Sequence, residues 1–418
     1  MAGKVFEGIK VVEFAWVAVG PQSSRYLADH GATVVRIESH THFDLLRGTS
    51  PYPQNKPGLN RSMFYGKYNS NKYNASLNLN HPKGREIAWK FIAWADILTE
   101  SYRPGTMIRW GLDYESVRKV RPDIIYLSTS MQGQTGPSNQ FAGVGSLICA
   151  LSGFGEISGW PGRPPSLPYG AYSDYFCQRF NSTALIAALE YRERTGKGQW
   201  IEQSQLETSA YFNAPIVMDY IINNNVAGRQ GNRLAYAAPH GVYPCRGDDR
   251  WIAIAVFDDE QWCSFYEVIG NPEWAGETRF NTLLGRKRDE DELDDLVSKW
   301  TAEHEVEEIE TAMQSAGVPA SMVVKNSDLH EDAQLKHRGY YVRLDHPEIG
   351  RPAYQQQADY ILSKTPREVT RPSPCLGEHN EYVYKELIGL TDDEISDCLA
   401  EGIITVELPA GYTFSANL

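Results

Sequence analysis

The chain has 418 residues, of which 42% are hydrophobic and 22% are charged, so it is long enough for two or three globular domains with apolar cores. Its formal net charge of −13 disfavours a protein that binds nucleic acid over a broad basic face. The sequence has no run of eighteen apolar residues and no apolar leader, and its six cysteines form no Cys-x-x-Cys pair. We therefore expect a cytoplasmic protein with reduced thiols and no membrane span.

The first half of the chain alternates short β-branched runs with helical patterns. The runs that predict strands are Ile9–Phe14, Thr33–Ile37, Asp96–Leu98 and Ile124–Ser128. This alternation is typical of an α/β fold with a Rossmann-like parallel sheet, which we assign to a large domain over residues 1–215. The glycine fingerprint of NAD- and FAD-binding folds, the Walker loop and the Gly-x-Ser-x-Gly elbow do not occur, so we expect no bound dinucleotide.

A smaller α+β domain is predicted over residues 226–325. The segments Gly241–Cys245 and Trp251–Val256 flank a turn at Gly247, which predicts a hairpin. Amphipathic patterns predict helices at Gln261–Ile269, Asp289–Trp300 and Val306–Ala316. From about Asp328 the chain is predicted to be extended and proline-rich before two short final helices.

Asp174 is a candidate nucleophile because it stands where the loop Gly170–Ser173 runs into a long predicted helix. Gly196 follows the last turn of this helix, and Arg192 and Arg194 near its end suit the helix dipole. At or near the N-cap, the dipole and the free backbone N–H groups favour an ionised carboxylate and could also stabilise an oxyanion. An aspartate in this position is usually only a cap, so its location alone leaves a structural role open.

Motifs in separate stretches of the chain follow one another in an order that is hard to obtain by chance. They are Gly8–Phe14, Gly20-Pro21, Leu27–Asp29, Gly31–Glu38, Arg103–Gly105, Gly111-Leu112, Gly133–Pro137, Arg194–Gln199, Gly317–Pro319 and Leu376–His379. In this order they resemble the class III CoA-transferases. The resemblance implies that segment 326–418 returns to the large domain and that two subunits interlock.

The resemblance also implies covalent catalysis by Asp174. Its carboxylate would attack the thioester of an acyl-CoA to give a mixed anhydride, and the released CoA thiolate would convert this to an aspartyl-CoA thioester. Coenzyme A is then a substrate, with a small carboxylic acid as its acceptor, and no tightly bound cofactor is expected. No metal is expected either, because no third residue stands at a spacing from His40 and His42 that is typical of metal ligands.

Further positions are expected to bind CoA by resemblance. Arg36 at the end of the second strand and Arg103 are the candidates for the phosphates. Strand ends on one edge of a parallel sheet form a ligand crevice, where an arginine can fork onto phosphate oxygens. An ordinary salt bridge is the alternative for either arginine. The remaining candidates are Arg47, which stands with Asp44 in an Asp-x-x-Arg pattern, the pair Asn71 and Lys72, and the backbone of Val17 and Ala18. Core packing is the alternative for Val17 and Ala18.

Two stretches differ from the patterns of particular branches of this family, and they narrow the set of possible reactions. The stretch Gly231–Gly241 is not the Gly-rich flap of the formyl-transferring branch, and Gly143–Cys149 has no histidine to serve as the second proton carrier of a racemase. The stretches Asn55–Ser62 and Ser130–Gly133 resemble the branch that acts on aryl-substituted succinates such as benzylsuccinate, with succinyl-CoA as donor. Aromatic residues that suit a bulky acid, or equally core packing, are Trp16, Tyr172, Tyr175 and Phe176.

Three functions remain as hypotheses. The first is CoA transfer from an acyl-CoA to a carboxylic acid, carried out by a homodimer or by a heteromer with a related subunit. The second is a non-catalytic or partner-dependent subunit, because the aryl-succinate branch includes enzymes with two different subunits. The third is an acyl-CoA racemase or epimerase, which the missing histidine disfavours. Neither nucleic acid nor a membrane is an expected partner.

Overall fold

The computed structural model describes residues 3–356 and 360–408. The chain divides into two compact units: Met1–Phe154, Leu167–Asn224 and Gln334–Leu418 form the first, and Gly155–Ser166 with Asn225–Ala333 form the second. The predicted small domain, 226–325, lies inside the second unit, which also contains segment 155–166. The predicted return segment, 326–418, is divided between the units at Gln334.

Six parallel strands form the sheet of the first unit, in the order β3-β2-β1-β4-β5-β6. They are β1 Lys10–Glu13, β2 Thr33–Glu38, β3 Tyr73–Ser76, β4 Ile97–Glu100, β5 Ile125–Ser130 and β6 Gln199–Ser204. The predicted parallel sheet is thus confirmed, but β3 and β6 were not predicted. Both are edge strands with little apolar alternation, and long-range pairing with β2 and β5 makes them strands.

Helices connect and cover the strands. In chain order they are α1 Val19–Asp29, α2 Met63–Asn69, α3 Pro82–Trp94, α4 Thr106–Trp110, α5 Tyr114–Val120, α6 Gly145–Leu151, α7 Phe154–Ile157, α8 Tyr172–Thr195, α9 Gln205–Phe212 and α10 Ala214–Asn223, with short 3₁₀ turns at Leu45–Gly48 and Pro53–Asn55. The predicted long helix after Asp174 corresponds to α8. Within the described residues, no helix has both the length and the apolar character needed to cross a bilayer.

The sheet separates two apolar cores. Successive side chains of a strand point to opposite faces, so Val11 packs on the face covered by α1 and α8, and Val12 packs on the face covered by α3. On the first face the core includes Leu27 and Leu185, and on the second it includes Phe91. Helices on both faces hold the strand ends rigidly, which gives the loops beyond them a fixed position.

The second unit is built on an antiparallel sheet with the order β7-β8-β9. Its elements are β7 His240–Pro244, β8 Trp251–Ala255, α11 Asp259–Val268, α12 Leu283–Arg288, α13 Glu290–Thr301, α14 Val306–Ser315, β9 Ala320–Met322 and α15 Asp328–Glu331, with 3₁₀ turns at Glu273–Gly276 and Thr278–Phe280. The predicted hairpin and the three predicted helices are confirmed, with ends that differ by up to two residues.

The C-terminal part differs from the prediction. Instead of an extended chain from about Asp328, α15 is followed by a second short helix and then by an antiparallel strand pair. The prolines that suggested extension lie farther along, at Pro366, Pro372 and Pro374. The elements are α16 Ala333–His337, β10 Tyr341–Arg343, β11 Ala353–Gln355, α17 Asn380–Tyr382, a π-helical turn Val383–Leu387 and α18 Asp392–Ala400.

The strand order creates a crevice beside the central strand. β1 pairs with β2 on one side and with β4 on the other, so the direction of the crossovers reverses between β1 and β4. Ligands of open α/β sheets bind at such a switch point, outside the carboxyl ends of the strands. The loops that follow β1 and β4 are therefore the first place to look for a site.

Candidate active site

A cavity of about 260 Å³ lies at this switch point, and Asp174 is part of its wall. The loops after β1, β4 and β5, together with the starts of α6, α8 and α9, enclose it. Its lining residues include Trp16, Val17, Ala18, Ser101, Arg103, Ser130, Gly145, Asp174 and Gln205. The fold therefore brings together residues that are more than 150 positions apart in the sequence. We call this space the Asp174 cavity.

Asp174 lies in the first turn of α8, two residues after the first helical residue Tyr172, and Ala171 occupies the N-cap position. Its backbone N–H donates to the Ala171 carbonyl at 2.9 Å, and its own carbonyl accepts from the Gln22 side-chain amide at 3.3 Å. Its residue exposure is only 7%. The backbone is thus fixed on both sides, and the side chain is available to the cavity.

Burial raises the pKa of the Asp174 carboxyl from 3.8 to about 7. Desolvation in the interior thus opposes the ionised carboxylate that the first-turn position favours. A carboxylate formed here lacks the hydration that would weaken it as a nucleophile. Its environment suits a group that reacts rather than one that caps.

Gly145, the first residue of α6, provides the space that the Asp174 carboxyl occupies. A Cβ atom added to Gly145 would stand 2.5 Å from Oδ1 of Asp174. The neighbouring Ser173 hydroxyl donates to the Gly145 carbonyl at 2.9 Å, which fixes α6 against the start of α8. A glycine is needed here because the carboxyl group lies against the helix backbone.

The loop after β1 forms the opposite wall. Val17 has φ 63°, a left-handed conformation that is strained for a β-branched residue, and its N–H donates to Oδ2 of Asp44 at 3.0 Å. The Trp16 N–H donates to the Ser101 hydroxyl at 2.7 Å, and this hydroxyl donates back to the Trp16 carbonyl at 3.1 Å. These bonds connect the loops after β1 and β4 and present the backbone of Val17 and Ala18 to the cavity.

A buried ionic network lies beneath this wall. Arg36 forms ion pairs with Glu13, with Glu38 at 3.1 Å and with Asp44, and its side chain is 0% exposed. Its nitrogen atoms are thus already engaged by carboxylates, and the guanidinium faces the interior rather than the cavity. The members of this network, three carboxylates and three cations, are Glu13, Glu38, Asp44, Arg36, Arg47 and Lys72.

The other cations of the network are equally enclosed. Arg47 donates to Glu38 at 2.8 Å and to the Tyr65 hydroxyl at 2.6 Å. Lys72 donates to Glu13 at 2.8 Å, and burial lowers the pKa of Lys72 to about 8 despite the opposing charge of Glu13. Burial alone would raise the pKa of Glu38, but Arg47 and Arg36 hold it well below its ordinary value. The charges of the network balance, which makes their burial tolerable.

Asn71 is engaged outside the cavity. Its side-chain amide donates to Oδ1 of Asp29 at 2.8 Å and accepts from the backbone N–H of Thr370 at 3.0 Å. Within the first unit, it therefore fastens the C-terminal segment to the residues just before β3. Arg103, in contrast, is exposed at the cavity wall, and no hydrogen bond or ion pair of its side chain occurs within residues 3–356 and 360–408. The structure brings Asp174, Val17, Ala18 and Arg103 together, and it places Arg36, Arg47, Asn71 and Lys72 in the interior behind them.

Of the aromatic residues proposed from the sequence, one lies in the cavity wall and three lie outside it. Trp16 lines the Asp174 cavity. Phe176 stacks on Phe212 with ring centroids 4.6 Å apart, and Tyr172 packs edge-on against Phe176. Tyr175 stacks on the ring of Tyr169 at 5.9 Å. These three contribute to packing around the first turns of α8, and they do not belong to the cavity wall.

Ser130 and Gln205 are cavity residues that were not among the site residues proposed from the sequence. Ser130 is the last residue of β5 and Gln205 is the first residue of α9, directly after β6. Their proximity depends on the parallel pairing that sets Ser130 opposite Ser204. Because β6 was not predicted, the sequence offered signals for Ser130 alone, namely the end of a predicted strand at Ser128 and the stretch Ser130–Gly133 noted for its resemblance.

Neither histidines nor cysteines add reactive groups to this cavity. His40 contacts the Ser76 hydroxyl at 3.2 Å, and the ring of His42 lies 4.7 Å from that of Trp16. Burial raises the pKa of the Cys177 thiol to about 12, so it remains protonated. Among the residues that the structure describes, no group of three or more His, Cys, Asp or Glu side chains is arranged to hold a metal ion.

Comparisons with known proteins agree on one family. The sequence profile of CoA-transferase family III matches residues 6–380. The succinyl-CoA–D-citramalate CoA-transferase of Chloroflexus aurantiacus is 29% identical over 400 residues, covering 95% of this chain and 98% of the relative. The β subunit of succinyl-CoA–L-malate CoA-transferase from the same organism is 28% identical, covering 95% and 97%.

Two further matches extend this result. The succinate–glutarate CoA-transferase of Agrobacterium fabrum is 31% identical over 382 residues, covering 91% of this chain and 95% of the relative. The crystal structure of a CaiB/BaiF family protein from Brucella suis is 27% identical and superposes with a TM-score of 0.84, covering 92% of this chain and all of that one. The match therefore includes the fold as well as the sequence.

Proposed function

This chain belongs to CoA-transferase family III and is a CoA-transferase that uses acyl-CoA as a substrate, and we propose that it moves CoA from succinyl-CoA to a dicarboxylic acid through a covalent intermediate on Asp174. The observation that carries the proposal is the buried Asp174 carboxyl in a cavity at the sheet's switch point. The donor follows from the relatives, whose names include succinyl-CoA or succinate.

In the proposed reaction, the Asp174 carboxylate attacks the thioester carbonyl, the C–S bond breaks and CoA leaves as a thiolate. The thiolate attacks the Asp174 carbonyl of the mixed anhydride, releasing the donor acid and leaving an aspartyl-CoA thioester. The acceptor carboxylate then attacks this thioester and expels CoA again. A final attack of the thiolate on the acceptor carbonyl gives the new acyl-CoA and restores the Asp174 carboxylate.

Several features of the cavity support this series of reaction steps. Burial of Asp174 keeps water away from the anhydride and the thioester, which both hydrolyse readily. The exposed guanidinium of Arg103 at the wall is the proposed partner of a CoA phosphate. The backbone of Val17 and Ala18 is the proposed contact for the pantetheine arm. Arg36 is proposed to act indirectly, by holding the Asp44 acceptor that fixes Val17. Arg47 and Lys72 are proposed to support it through Glu38 and Glu13, which also pair with Arg36.

The acceptor is proposed to be a short dicarboxylic acid. D-citramalate, L-malate and glutarate, named in the relatives, all belong to this class. An aryl-substituted succinate is a dicarboxylate too, and Trp16 would be its aromatic wall. A panel of acceptors that contains both kinds separates the two possibilities.

The active form is proposed to be a dimer, either of two identical chains or with a related subunit. The helix α10 has no buried residue, although its sequence is predominantly apolar, and Ile221 and Ile222 are 66% and 70% exposed. A helix that is apolar all round is normally covered. The L-malate relative is a β subunit, so a partner-dependent form remains the second hypothesis.

The test is peptide mass spectrometry after incubation of the purified chain with succinyl-CoA, with borohydride to reduce any thioester. We expect a CoA adduct or a reduced side chain at Asp174, and neither in Asp174→Asn. An unmodified Asp174 peptide with every acyl-CoA tested, alone and with a candidate partner subunit, would leave this residue with a structural role only. Exchange of the α-proton for deuterium without any acceptor acid would point to a racemase instead.

A further inference from the structure

A second cavity in the first unit concentrates positive charge. It has a volume of about 350 Å³ and lies between α1, α2, α8 and the C-terminal segment. The part of the chain that the structure describes contributes no carboxylate to its lining, although the formal net charge of the whole chain is −13. We call this space the Arg25 cavity, and its cationic lining residues are Arg25, Lys67, Arg179 and Arg367.

A single carboxylate behind the wall balances only part of this charge. Asp29 is 0% exposed, forms an ion pair with Nε of Arg25 at 3.2 Å and accepts from Nε of Arg367 at 2.9 Å. The half-buried Lys67 ammonium lies 4.9 Å from the centroid of the Tyr175 ring, and no carboxylate pairs with it in the ranges 3–356 and 360–408. Without counting Arg179, three cations therefore share one carboxylate, which leaves an excess of two positive charges.

The crowding of these cations is reflected in their proton affinities. Burial and the neighbouring charge of Arg25 lower the pKa of Lys67. Burial and the charge of Arg367 lower the pKa of Arg179 in the same way. Cations that have lost part of their water and stand beside like charges are destabilised, and a bound anion relieves both effects.

The position and the remaining lining also suit a small ligand. The side-chain amides of Gln22, Gln178 and Gln355 line the Arg25 cavity, and amide N–H groups can donate to the oxygen atoms of an anion. Gln22 also donates to the backbone carbonyl of Asp174 at 3.3 Å, and Gln178 follows Asp174 by about one turn of α8. The two cavities have no lining residue in common, so they are neighbouring but separate spaces.

We propose that the Arg25 cavity binds a small dianion, either a dicarboxylate or a phosphate, at a site separate from the Asp174 cavity. The anion pairs with Lys67 and with the arginines that share Asp29, and it offsets the two excess positive charges. The volume of the cavity is in the range of small-molecule sites. The inference does not depend on the proposed function, because it concerns charges on the far side of Gln22 from the Asp174 carboxyl.

The test measures the binding of inorganic phosphate and of succinate to the full chain by calorimetry, and thermal unfolding with each anion in a zwitterionic buffer of low ionic strength near neutral pH. We expect each anion that binds to raise the Tm more than sodium chloride does at equal ionic strength. Lys67→Gln should weaken binding by about tenfold to a hundredfold. Without any anion, this variant should be at least as stable as the wild type, because it removes one of the crowded charges.

A second variant supplies the anion from the chain itself. Gln355 is half-buried and lines the cavity, so Gln355→Glu places a carboxylate among the cations. It should raise the Tm in the absence of added anion and suppress the further gain from phosphate or succinate. The exposed Lys197→Gln is the control, and it should match the wild type in both measurements.

The two probes distinguish the sources of the anion, since tighter binding of phosphate indicates a phosphorylated ligand and tighter binding of succinate indicates a dicarboxylate. A Tm gain that sodium chloride reproduces in full is only screening and would overturn the inference, as would the absence of binding by both anions. Binding that is unchanged in Lys67→Gln but lost in Arg103→Gln would contradict it too, because the anion would then lie in the Asp174 cavity.

Discussion

At the scale of single residues, Asp174 owes its chemistry to burial. Its position in the first turn of α8 would favour the carboxylate, but the surrounding atoms raise the pKa from 3.8 to about 7 because they remove water without supplying a cation. Gly145 adds the second requirement, since its missing side chain leaves the space that the carboxyl occupies.

The first prediction concerns stability and pH. The folded chain binds a proton at Asp174 more tightly than the unfolded chain does, so its stability falls as the pH rises from about 4 to about 7. A tenfold change in proton affinity corresponds to about 1.4 kcal/mol, so a rise from 3.8 to about 7 corresponds to roughly 4 kcal/mol. We expect Asp174→Asn to be more stable than the wild type by up to about this amount at pH 8, and about equally stable at pH 4, in urea unfolding.

The control for this prediction is Asp248→Asn, which removes a carboxylate from an exposed position. It should be close to the wild type at both pH values. An Asp174→Asn variant that is less stable at pH 8 would mean that the carboxylate makes favourable contacts, as a helix cap does.

The second prediction concerns Gly145→Ala. The added methyl group would stand 2.5 Å from Oδ1 of Asp174, so the carboxyl must move by about an ångström. A displacement of that size costs about a hundredfold in rate. We expect such a loss in adduct formation with succinyl-CoA, measured by mass spectrometry over time.

Gly228→Ala is the matched control, because a Cβ atom at Gly228 meets nothing within 4 Å. Its rate should be that of the wild type, and circular dichroism should give the same spectrum for both variants. An unchanged rate in Gly145→Ala would mean that Asp174 does not react from the position described.

At the scale of elements, the loop after β1 is shaped by groups far below the cavity. Val17 keeps its left-handed conformation because Asp44 accepts its N–H, and Asp44 is held in turn by Arg36. Three buried carboxylates then surround Arg36. The network supports the cavity wall from below, so Arg36 can have a structural role without contacting a ligand.

The third prediction separates this role from phosphate binding. Arg36→Met leaves buried carboxylates unpaired and should destabilise the fold by about 3–5 kcal/mol in urea unfolding. Arg103→Met removes an exposed cation and should leave the stability unchanged while weakening CoA binding by about tenfold to a hundredfold in calorimetry.

Arg118→Met is the control, because the ion pair of Arg118 is with exposed Glu115, and such pairs contribute at most about 1 kcal/mol. It should affect neither measurement. If Arg36→Met is as stable as the wild type and binds CoA poorly, Arg36 contacts CoA directly and its buried conformation is not the one that binds.

At the scale of the whole molecule, the apolar surface of α10 is the feature that a single chain does not explain. Ile221 and Ile222 are exposed to 66% and 70%. The fourth prediction is therefore that the wild type sediments as a dimer, and that Ile221→Asp sediments as a monomer because it places a charge in the covered surface.

Leu284→Asp is the control for position, since Leu284 is 83% exposed and lies in the second unit. This variant should remain dimeric. A wild type that sediments as a monomer by itself would exclude the homodimer, and dimer formation only after addition of a related subunit would favour the heteromer.

The sequence by itself determined the α/β class, the strands β1, β2, β4 and β5, the long helix after Asp174 and the hairpin of the second unit. These features depend on local periodicity and on turn residues, which neighbouring positions express directly. The ordered motifs, from Gly8–Phe14 to Leu376–His379, were sufficient to indicate the family, and they also pointed to Asp174.

Only the tertiary structure decided which of the candidate residues line the Asp174 cavity. Arg36 near the end of β2 and Arg103 after β4 look equivalent in the sequence, yet Arg36 is enclosed by carboxylates and Arg103 is exposed. Ser130 and Gln205 meet only because β5 and β6 pair in a particular register. The side-chain environment depends on residues distant in the chain, so burial and the raised pKa of Asp174 could not be read from local sequence.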